Sequence, residues 1–205
     1  MSPKVTDIYR QQKKRQILEA AKKAFIVKGY ELTTMKDIVD ESGLSRGGVY
    51  LYFSSTEEIF LEILKLNDKD LMSKVQYLNK NCSTIWEAIL ELGEMIKKEF
   101  LCAQSGLGPI IFEYFLSGKR NTRTQILLNE RFAGAVDCLT ALINAGIERN
   151  EFKPIFPPDE ISMLMLSFID GIEINMIHHG ADKIKLASQI NQMILYLKYV
   201  LMVQA

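Results

Sequence analysis

Apolar side chains recur every three to four residues along almost the whole chain, and this period limits the folds open to it. In residues 8–27 the apolar positions, which lie on one face of a helix, are Ile17, Leu18, Ala21, Ala24 and Phe25. The same spacing returns in residues 84–102, 109–117, 123–149, 158–179 and 184–203. No segment alternates apolar and polar residues convincingly, and residues 151–156 lie next to prolines. The sequence therefore predicts an all-α protein with about nine helices.

The composition is that of an ordinary soluble globular protein. Of 205 residues, 48% are hydrophobic and 24% are charged, and only 12 Gly and 5 Pro are present, which excludes disorder and collagen-like repeats. No uncharged apolar run reaches the roughly 18 residues of a membrane span, and the N-terminus lacks the apolar core of a secretory signal. Three widely spaced cysteines argue against a disulfide framework or a zinc site. We expect a cytoplasmic protein without membrane attachment.

The charge is unevenly distributed although the formal net charge is zero. Residues 1–55 contain ten basic and six acidic side chains, a balance of +4, so the other 150 residues carry −4. A basic N-terminal part on an acidic body indicates an anionic partner for that part alone. The alternative is a chance fluctuation, since four charges is a modest excess. Within the basic part, Lys4, Arg10, Lys13, Lys14 and Arg15 precede or begin the apolar stripe, where they are either phosphate contacts or a solvated helix start.

Two short predicted helices separated by a glycine lie in residues 34–53. Thr34, with Asp37 three residues later, is typical of the start of the first, and Gly43 ends it. Ser45 caps the second, which we place at residues 46–52. Ser55 and Glu58 have the spacing of a capping box that starts a fourth helix. This arrangement is that of a DNA-binding helix-turn-helix, although an ordinary helical hairpin has the same pattern.

Residues 29–60 have the sequence GYELTTMKDIVDESGLSRGGVYLYFSSTEEIF. This segment resembles the tetracycline-repressor (TetR) family, and the match extends over residues 15–64. The resemblance implies a homodimeric transcription regulator, most often a repressor, that binds a palindromic operator in double-stranded DNA. It also implies a three-helix DNA-binding domain, here residues 1–56, and a helical body, here residues 57–205. The body would bind a small-molecule effector and form the dimer contact.

The resemblance also assigns roles to single residues of the DNA-binding domain. Thr33 and Thr34 occupy positions that meet phosphates, and the base-reading start of the recognition helix corresponds to Ser45, Arg46, Gly47 and Gly48. Tyr50 and Tyr52 occupy positions that contact the DNA backbone, and Thr56 stands where many members place a phosphate-binding lysine. Gly48 and Leu51 also depart from the usual residues, so the operator sequence cannot be inferred from relatives.

The body is rich in methionine and aromatic residues, which adapt to ligands of varied shape. We expect an effector cavity lined by Trp86, Phe112, Phe115, Met163 and Phe168, although most such residues in a helical protein are plain core. The candidate polar anchors are Glu113, Asn144, Glu173 and Asn175. If the two glutamates are buried, they would favour a cationic ligand, but they are alternatively exposed helix charges. The last two long helices indicate either burial within one subunit or a four-helix contact with a second copy, which we expect to use Leu164, Gly171, Ile194 and Leu197.

Nothing in the sequence selects a metal, a cofactor or a catalytic site. Consecutive positions on a helix diverge by about 100°, so His178 and His179 cannot easily bind one metal ion. The motifs GxSxG, HExxH, GxGxxG and the P-loop do not occur. The chain is thus predicted to be a dimeric repressor that a small, mostly apolar effector releases from DNA. The alternative is a small helical enzyme or ligand carrier whose N-terminal hairpin is incidental.

Overall fold

The computed structural model of the chain describes residues 7–101 and 106–204. In these residues the chain forms ten α-helices, joined by short loops, and no strand. The helices are α1 Asp7–Lys28, α2 Met35–Ser42, α3 Arg46–Tyr50, α4 Thr56–Asn81, α5 Ile85–Leu101, α6 Gly108–Ser117, α7 Thr122–Glu148, α8 Pro158–His179, α9 Ala181–Ile184 and α10 Leu186–Val200. The all-α prediction is confirmed. The added helix is the single turn α9, which lies between the last two predicted helices and ends because Lys185 adopts a left-handed backbone conformation.

The caps of the first helices follow the sequence with one exception. The Thr34 side chain accepts the Asp37 N–H while the Asp37 side chain accepts the Thr34 N–H, so this predicted cap is present. Ser55 accepts the Glu58 N–H at 3.1 Å. The Glu58 carboxylate, however, accepts from the N–H and hydroxyl of Ser54 rather than from Ser55, so only half of that predicted capping box forms. Helix α3 ends at Tyr50, two residues earlier than predicted.

The first hydrophobic cluster joins the N-terminal helices to the body. Its centre is a group of rings in which Phe60 of α4 lies 5.3 Å from Phe25 of α1 and 4.9 Å from Tyr114 of α6, between ring centroids. Tyr30, just after α1, lies 4.8 Å from Tyr114. The division at residue 56 stays a prediction, but the cluster shows that the two units share a core in which α4 and α6 take part.

The body is organised around a second cluster and a smaller third cluster. The second combines the C-terminal half of α4 with α5, α7, α8 and α10, and the third joins Phe100 of α5 to the end of α8 and the start of α10. The loop after α7 is fixed to the end of α10, because Lys153 N–H donates to Leu201 C=O at 2.8 Å. Gly146 lets this loop close: a Cβ there would lie 2.2 Å from the Phe152 ring.

Helix α8 is strongly apolar and leaves part of its apolar surface exposed. By length and apolar composition it could cross a membrane, the only helix of the described residues to do so, although core helices of soluble proteins meet the same criterion. Its buried residues include Ile161, Met165 and Ile172, and it packs mainly on α7. Met163, Leu164 and Ile174 remain exposed by 40–45%. An apolar stripe on a helix that already packs into the body indicates a second contact surface.

Candidate DNA-binding face and effector site

Helix α3 presents a small, exposed surface at its start. Ser45 caps it by accepting the Gly48 N–H at 3.1 Å, and the fully buried Val49 anchors it in the first cluster. Arg46 and Gly47 are exposed, and a Cβ at Gly47 would meet nothing within 4 Å. At Gly48 a Cβ would lie 3.2 Å from the Ser45 hydroxyl, so a side chain would crowd the cap. The helix start is therefore open to close approach by another surface.

The side chains of the recognition helix differ in their availability. Tyr50 is 42% exposed, and the Arg46 guanidinium carbon lies 5.3 Å from the centre of its ring. Leu51 is 73% exposed, whereas Tyr52 is half-buried against the first cluster. Arg46, Tyr50 and Leu51 thus form one outward face, as expected for groups that reach DNA. Tyr52 has only part of its side chain free.

Thr33 does not belong to this face. Its side chain is buried, and its hydroxyl donates to the Gly29 carbonyl at 2.6 Å. The expectation that the Thr33 side chain meets a phosphate is wrong, because this hydroxyl closes the turn after α1. Thr34 is exposed at the start of α2, where its hydroxyl lies 2.8 Å from Asp37. Hydrogen bonds from Lys28 and from Thr34 lower the pKa of Asp37 to about 2, which keeps this cap charged.

Internal ion pairs divide the basic residues of the N-terminal unit. Salt bridges to carboxylates occupy Lys14, Lys22, Lys23 and Lys28. Lys14 pairs with Glu62 of α4 and also lies over the Phe53 ring, so it is not a free phosphate ligand. Lys13 contacts Gln16 and the Tyr9 ring. Among the described residues, Arg10, Arg15 and Lys36 are exposed and have no carboxylate partner. Lys4 lies outside the described residues.

Lys36 is a candidate that the sequence pattern missed. It lies in the first turn of α2, beside Thr34, and is exposed. A cation at the positive end of a helix dipole is unfavourable unless an anion is near, and Arg46 likewise lies in the first turn of α3. A basic residue just inside a predicted N-cap was the signal available in the sequence. Two such cations on neighbouring helices favour a polyanionic partner.

The start of α4 differs from these two helix starts. Thr56, its first residue, is half-buried, and two acids follow it as Glu57 and Glu58. Hydrogen bonds from the Ser54 N–H and hydroxyl lower the pKa of Glu58. A phosphate that approached Thr56 would meet these carboxylates, so the assignment of Thr56 as a DNA contact stays a prediction with little electrostatic support.

The five predicted cavity residues do not come together. Phe115 is buried in the first cluster, with the Arg131 guanidinium carbon 5.3 Å from its ring centre, and Met163 is 40% exposed on α8. Trp86 packs at the edge of the second cluster, and Phe112 is half-buried on α6. Only Phe168 lines the small cavity described next. The five residues do not line one cavity in this structure, because aromatic content does not reveal which face of a helix points inward.

A small apolar cavity of about 40 Å³ lies between α5, α8 and α10. Its wall includes Ile89, Gly93, Met165, Phe168 and Met193. Ile194 and Leu197, predicted as dimer contacts, also line it, and Leu197 is only 2% exposed. Leu197 is therefore not available as a dimer contact, because this face of α10 turns into the body, whereas the half-buried Ile194 stays a prediction. The exposed face of α10 carries Leu195, Tyr199 and Met202 instead.

The predicted polar anchors also separate. Asn175 is exposed and donates to the Gly171 carbonyl, and Asn144 is exposed as well. The Glu113 carboxylate accepts two backbone N–H groups from the DNA-binding unit. Glu173 packs against Gly108 at the start of α6, and burial, with repulsion by Asp170 and Glu99, raises its pKa to about 7. None of the four side chains lines the α5–α8–α10 cavity.

Comparison with known proteins decides between a regulator and an unrelated helical protein. Residues 17–63 match the model described as bacterial regulatory proteins, tetR family, and residues 88–187 match the tetracyclin repressor-like C-terminal domain. The HTH-type transcriptional regulator YfiR of Bacillus subtilis, itself uncharacterized, is 38% identical over 201 residues, covering 98% of each chain. The chain belongs to the TetR family of transcriptional regulators. Its resemblance to the family in residues 15–64 is thereby confirmed.

Solved structures extend the likeness of this TetR-family regulator to the body. A regulator from Saccharomonospora viridis in complex with choline has a TM-score of 0.75 at 19% identity, covering 95% of this chain and all of that one. FadR from Bacillus subtilis in complex with stearoyl-CoA has a TM-score of 0.68 at 21% identity, covering 89% and 96%. At these identities the comparison shows a shared fold. The regulators found as relatives favour DNA-binding regulation over the alternative of an enzyme or carrier.

Proposed function

We propose that the protein is a dimeric repressor that acts in the cytoplasm and leaves its operator when a small, mostly apolar effector binds. The observation that carries the DNA-binding part is the exposed face formed by Arg46, Gly47 and Tyr50, beside the unpaired Lys36. Arg46 can donate two hydrogen bonds to guanine O6 and N7, which read the base pair. Tyr50 and Lys36 contact phosphates, which fix the position of the helix without reading sequence.

The dimer that such an operator requires has a suitable surface on α8 and α10. Leu164 on α8 and Tyr199 on α10 are 45% and 73% exposed, and a Cβ at Gly171 would meet nothing within 4 Å. We propose that these residues, with Leu195 and Met202, form a four-helix contact with the same helices of a second copy. This surface replaces the predicted one, which included the buried Leu197.

The cavity between α5, α8 and α10 is the proposed effector site. Its lining is apolar, so the part of the effector that enters it is hydrocarbon. A volume of about 40 Å³ is far below the roughly 300 Å³ of a typical ligand pocket, so binding must separate the helices. Met165 and Met193 make this opening inexpensive, because methionine adapts its shape easily. The structurally similar FadR was solved in complex with stearoyl-CoA, whose acyl chain is an effector of this apolar class.

Helix α4 is the element through which opening of the cavity would reach DNA. It contributes Phe60 and Ile63 to the first cluster and Val75 and Leu78 to the second, over a length of about 39 Å for 26 residues. The two recognition helices of a dimer must lie about 34–36 Å apart to enter successive major grooves. A tilt of α4 changes this separation, and a coupling of about 1–3 kcal/mol suffices for regulation.

The test of DNA recognition separates base reading from positioning. An operator is selected from random-sequence DNA with the wild-type protein, and binding to it and to its single-base variants is measured at fixed salt. Arg46→Ala is expected to lose about 1–3 kcal/mol of discrimination at one base pair per half-site. Tyr50→Phe is expected to weaken all sequences by a similar factor.

Three results would contradict these assignments. If Arg46→Ala weakens all DNA sequences equally, Arg46 binds phosphate and does not read a base. If the wild-type protein selects no operator, the proposed function fails. A mass of about 23 kDa in light scattering at micromolar concentration would refute the dimer.

A further inference from the structure

The turn after α1 holds a carboxylate from another part of the molecule. The backbone N–H of Tyr30 donates to Glu113 Oε2 at 2.9 Å, and the N–H of Glu31 donates to Glu113 Oε1 at 3.0 Å. Each carboxylate oxygen therefore accepts from one of two consecutive residues, in the geometry of a two-point clamp. Glu113 belongs to α6, more than 80 residues away along the chain. We call this pair of hydrogen bonds the Glu113 clamp.

The backbone of the turn is shaped to receive an anion. Gly29 has a φ of +83°, and a left-handed residue after a helix points the following N–H groups towards one spot, which makes a small anion-binding concavity. A Cβ at Gly29 would lie 2.9 Å from Glu113 Oε2. Glycine is thus required here both by the conformation and by the close approach of the carboxylate. The helix dipole does not explain the contact, because a carboxylate near a helix C-terminus is unfavourable.

Other contacts between α6 and the DNA-binding unit surround the clamp. The Ser117 hydroxyl donates to Glu31 Oε1 at 2.6 Å, and the Tyr114 hydroxyl donates to Glu57 Oε1 at 3.4 Å, at the start of α4. The Tyr114 ring packs on Tyr30 and Phe60. Rings resist separation but allow some rotation about their contact, whereas two charge-assisted hydrogen bonds to consecutive amides fix an orientation. The clamp is therefore the directional part of this junction.

We infer that Glu113 is a positioning residue that fixes the orientation of each DNA-binding unit on the body and so sets the half-site spacing that the dimer accepts. The inference rests on the proposed function, because spacing has meaning only for a dimer on a two-part operator. With the clamp intact, the two recognition helices have one separation. Without it, each unit can rotate about the aromatic junction, and operators of different spacing become more nearly equivalent.

The experiment measures spacing selectivity in the full-length protein. The probes are the operator selected by the wild-type protein and the same DNA with one base pair added or removed at its centre. For the wild type we expect the altered probes to bind less tightly by about 5- to 150-fold, the cost of about 1–3 kcal/mol that one defective base pair has in a DNA site. For Glu113→Ala the difference is expected to shrink to about twofold, while Glu113→Gln, which keeps one acceptor oxygen, is expected to lie between. Base discrimination within each half-site should not change, because α3 is intact.

A matched control and a second measurement separate orientation from stability. Glu130→Ala removes an exposed carboxylate of α7 that has no partner in the described part of the chain, and it should keep the full spacing selectivity. Amide hydrogen exchange without DNA should become faster at Tyr30 and Glu31 in Glu113→Ala only. Spacing selectivity that survives in a folded, dimeric Glu113→Ala protein would overturn the inference, as would unchanged exchange at both amides. Should the wild type select no operator, the proposed function fails and the spacing role with it, whereas exchange still reports on the clamp.

Discussion

The two hydrophobic clusters of this protein are built from different side chains and serve different purposes. The first contains a group of contacting rings, Phe25, Tyr30, Phe60, Tyr114 and Phe115, with centroids 4.8–5.8 Å apart for each contact. The second is mostly aliphatic and adjoins a cavity bordered by two methionines. Large rings bury much area and resist separation, whereas methionine side chains can rearrange. The comparison indicates a tightly held junction beside the DNA-binding unit and an adaptable body.

The charged side chains of the DNA-binding unit and of the body also differ in how well they are paired. In the DNA-binding unit, Lys28 and Asp37 form a salt bridge and every cap carboxylate has a partner. In the body, Glu173 packs against the start of α6 with two further acids near it. A half-buried carboxylate that lacks a compensating charge destabilises the ionised folded state. The body thus contains a destabilising carboxylate where α8 packs against the start of α6.

The largest expected effect on stability comes from a ring of the first cluster. Phe60→Ala is expected to lower the free energy of unfolding by about 3–5 kcal/mol, because Phe60 is fully buried and contacts three other rings. Urea unfolding at one fixed protein concentration measures it. Tyr77→Ala, on the same helix but at a side chain 65% exposed, is the control and should change stability by about 0.5 kcal/mol or less. A loss below about 1 kcal/mol for Phe60→Ala would show that the ring contacts contribute little to holding the two units together.

The next prediction concerns Glu173, whose pKa in the folded state is about 7 against 4.5 for an ordinary glutamate. A raised carboxyl pKa means that the folded state holds its proton longer, so this group costs nothing below pH 4.5 and its cost grows as pH rises to 7. Glu173→Gln should therefore stabilise the protein at pH 8, by at most about 3 kcal/mol, and should have little effect at pH 4.5. Urea unfolding at the two pH values tests this, with Glu130→Gln as the control for loss of a charge. An effect of equal size at both pH values would contradict it.

A smaller effect distinguishes paired from unpaired cations in the DNA-binding unit. Lys36→Ala should weaken all DNA sequences alike and reduce the slope of log affinity against log salt concentration by about 1 per subunit, because one phosphate contact is lost. Lys14→Ala should leave the slope unchanged, since Lys14 already pairs with Glu62. Titrations of the selected operator at several salt concentrations measure both. Equal slope changes would show that internal pairing does not decide which lysines reach DNA.

The smallest effect tests whether the body adapts. Gly93→Ala should stabilise the protein by about 0.5–1 kcal/mol, because alanine favours the helix. The new Cβ would lie 3.3 Å from Ile194 Cδ1, which can move because both residues line the cavity. Gly134→Ala on α7, where a Cβ makes only an ordinary contact with Met72, is the control. Thermal or urea unfolding gives the comparison, and a loss of stability for Gly93→Ala alone would mean that the cavity wall is rigid.

The sequence by itself determined the helices, the caps and the family. Helix periodicity, Thr34 with Asp37, and Ser45 act over a few residues, so their physics is local and can be predicted without a fold. The exposed start of α3 followed from the same local rules, because Val49 had to point inward and Arg46 then had to point outward. The single-turn helix α9 was missed because nothing in the sequence marks a left-handed lysine at 185, where this helix ends.

Only the tertiary structure decided which side chains face one another. Glu113 was predicted to anchor a ligand, but its carboxylate accepts a hydrogen bond from the turn at Tyr30. Leu197 was predicted to contact a second copy, but it lines a cavity. Lys14 and Lys36 are both lysines of the DNA-binding unit, yet only Lys14 pairs with a carboxylate of α4. These outcomes depend on partners far away along the chain and on the angle at which helices cross. An apolar stripe shows that one side of a helix is buried, but it does not identify the element that covers it.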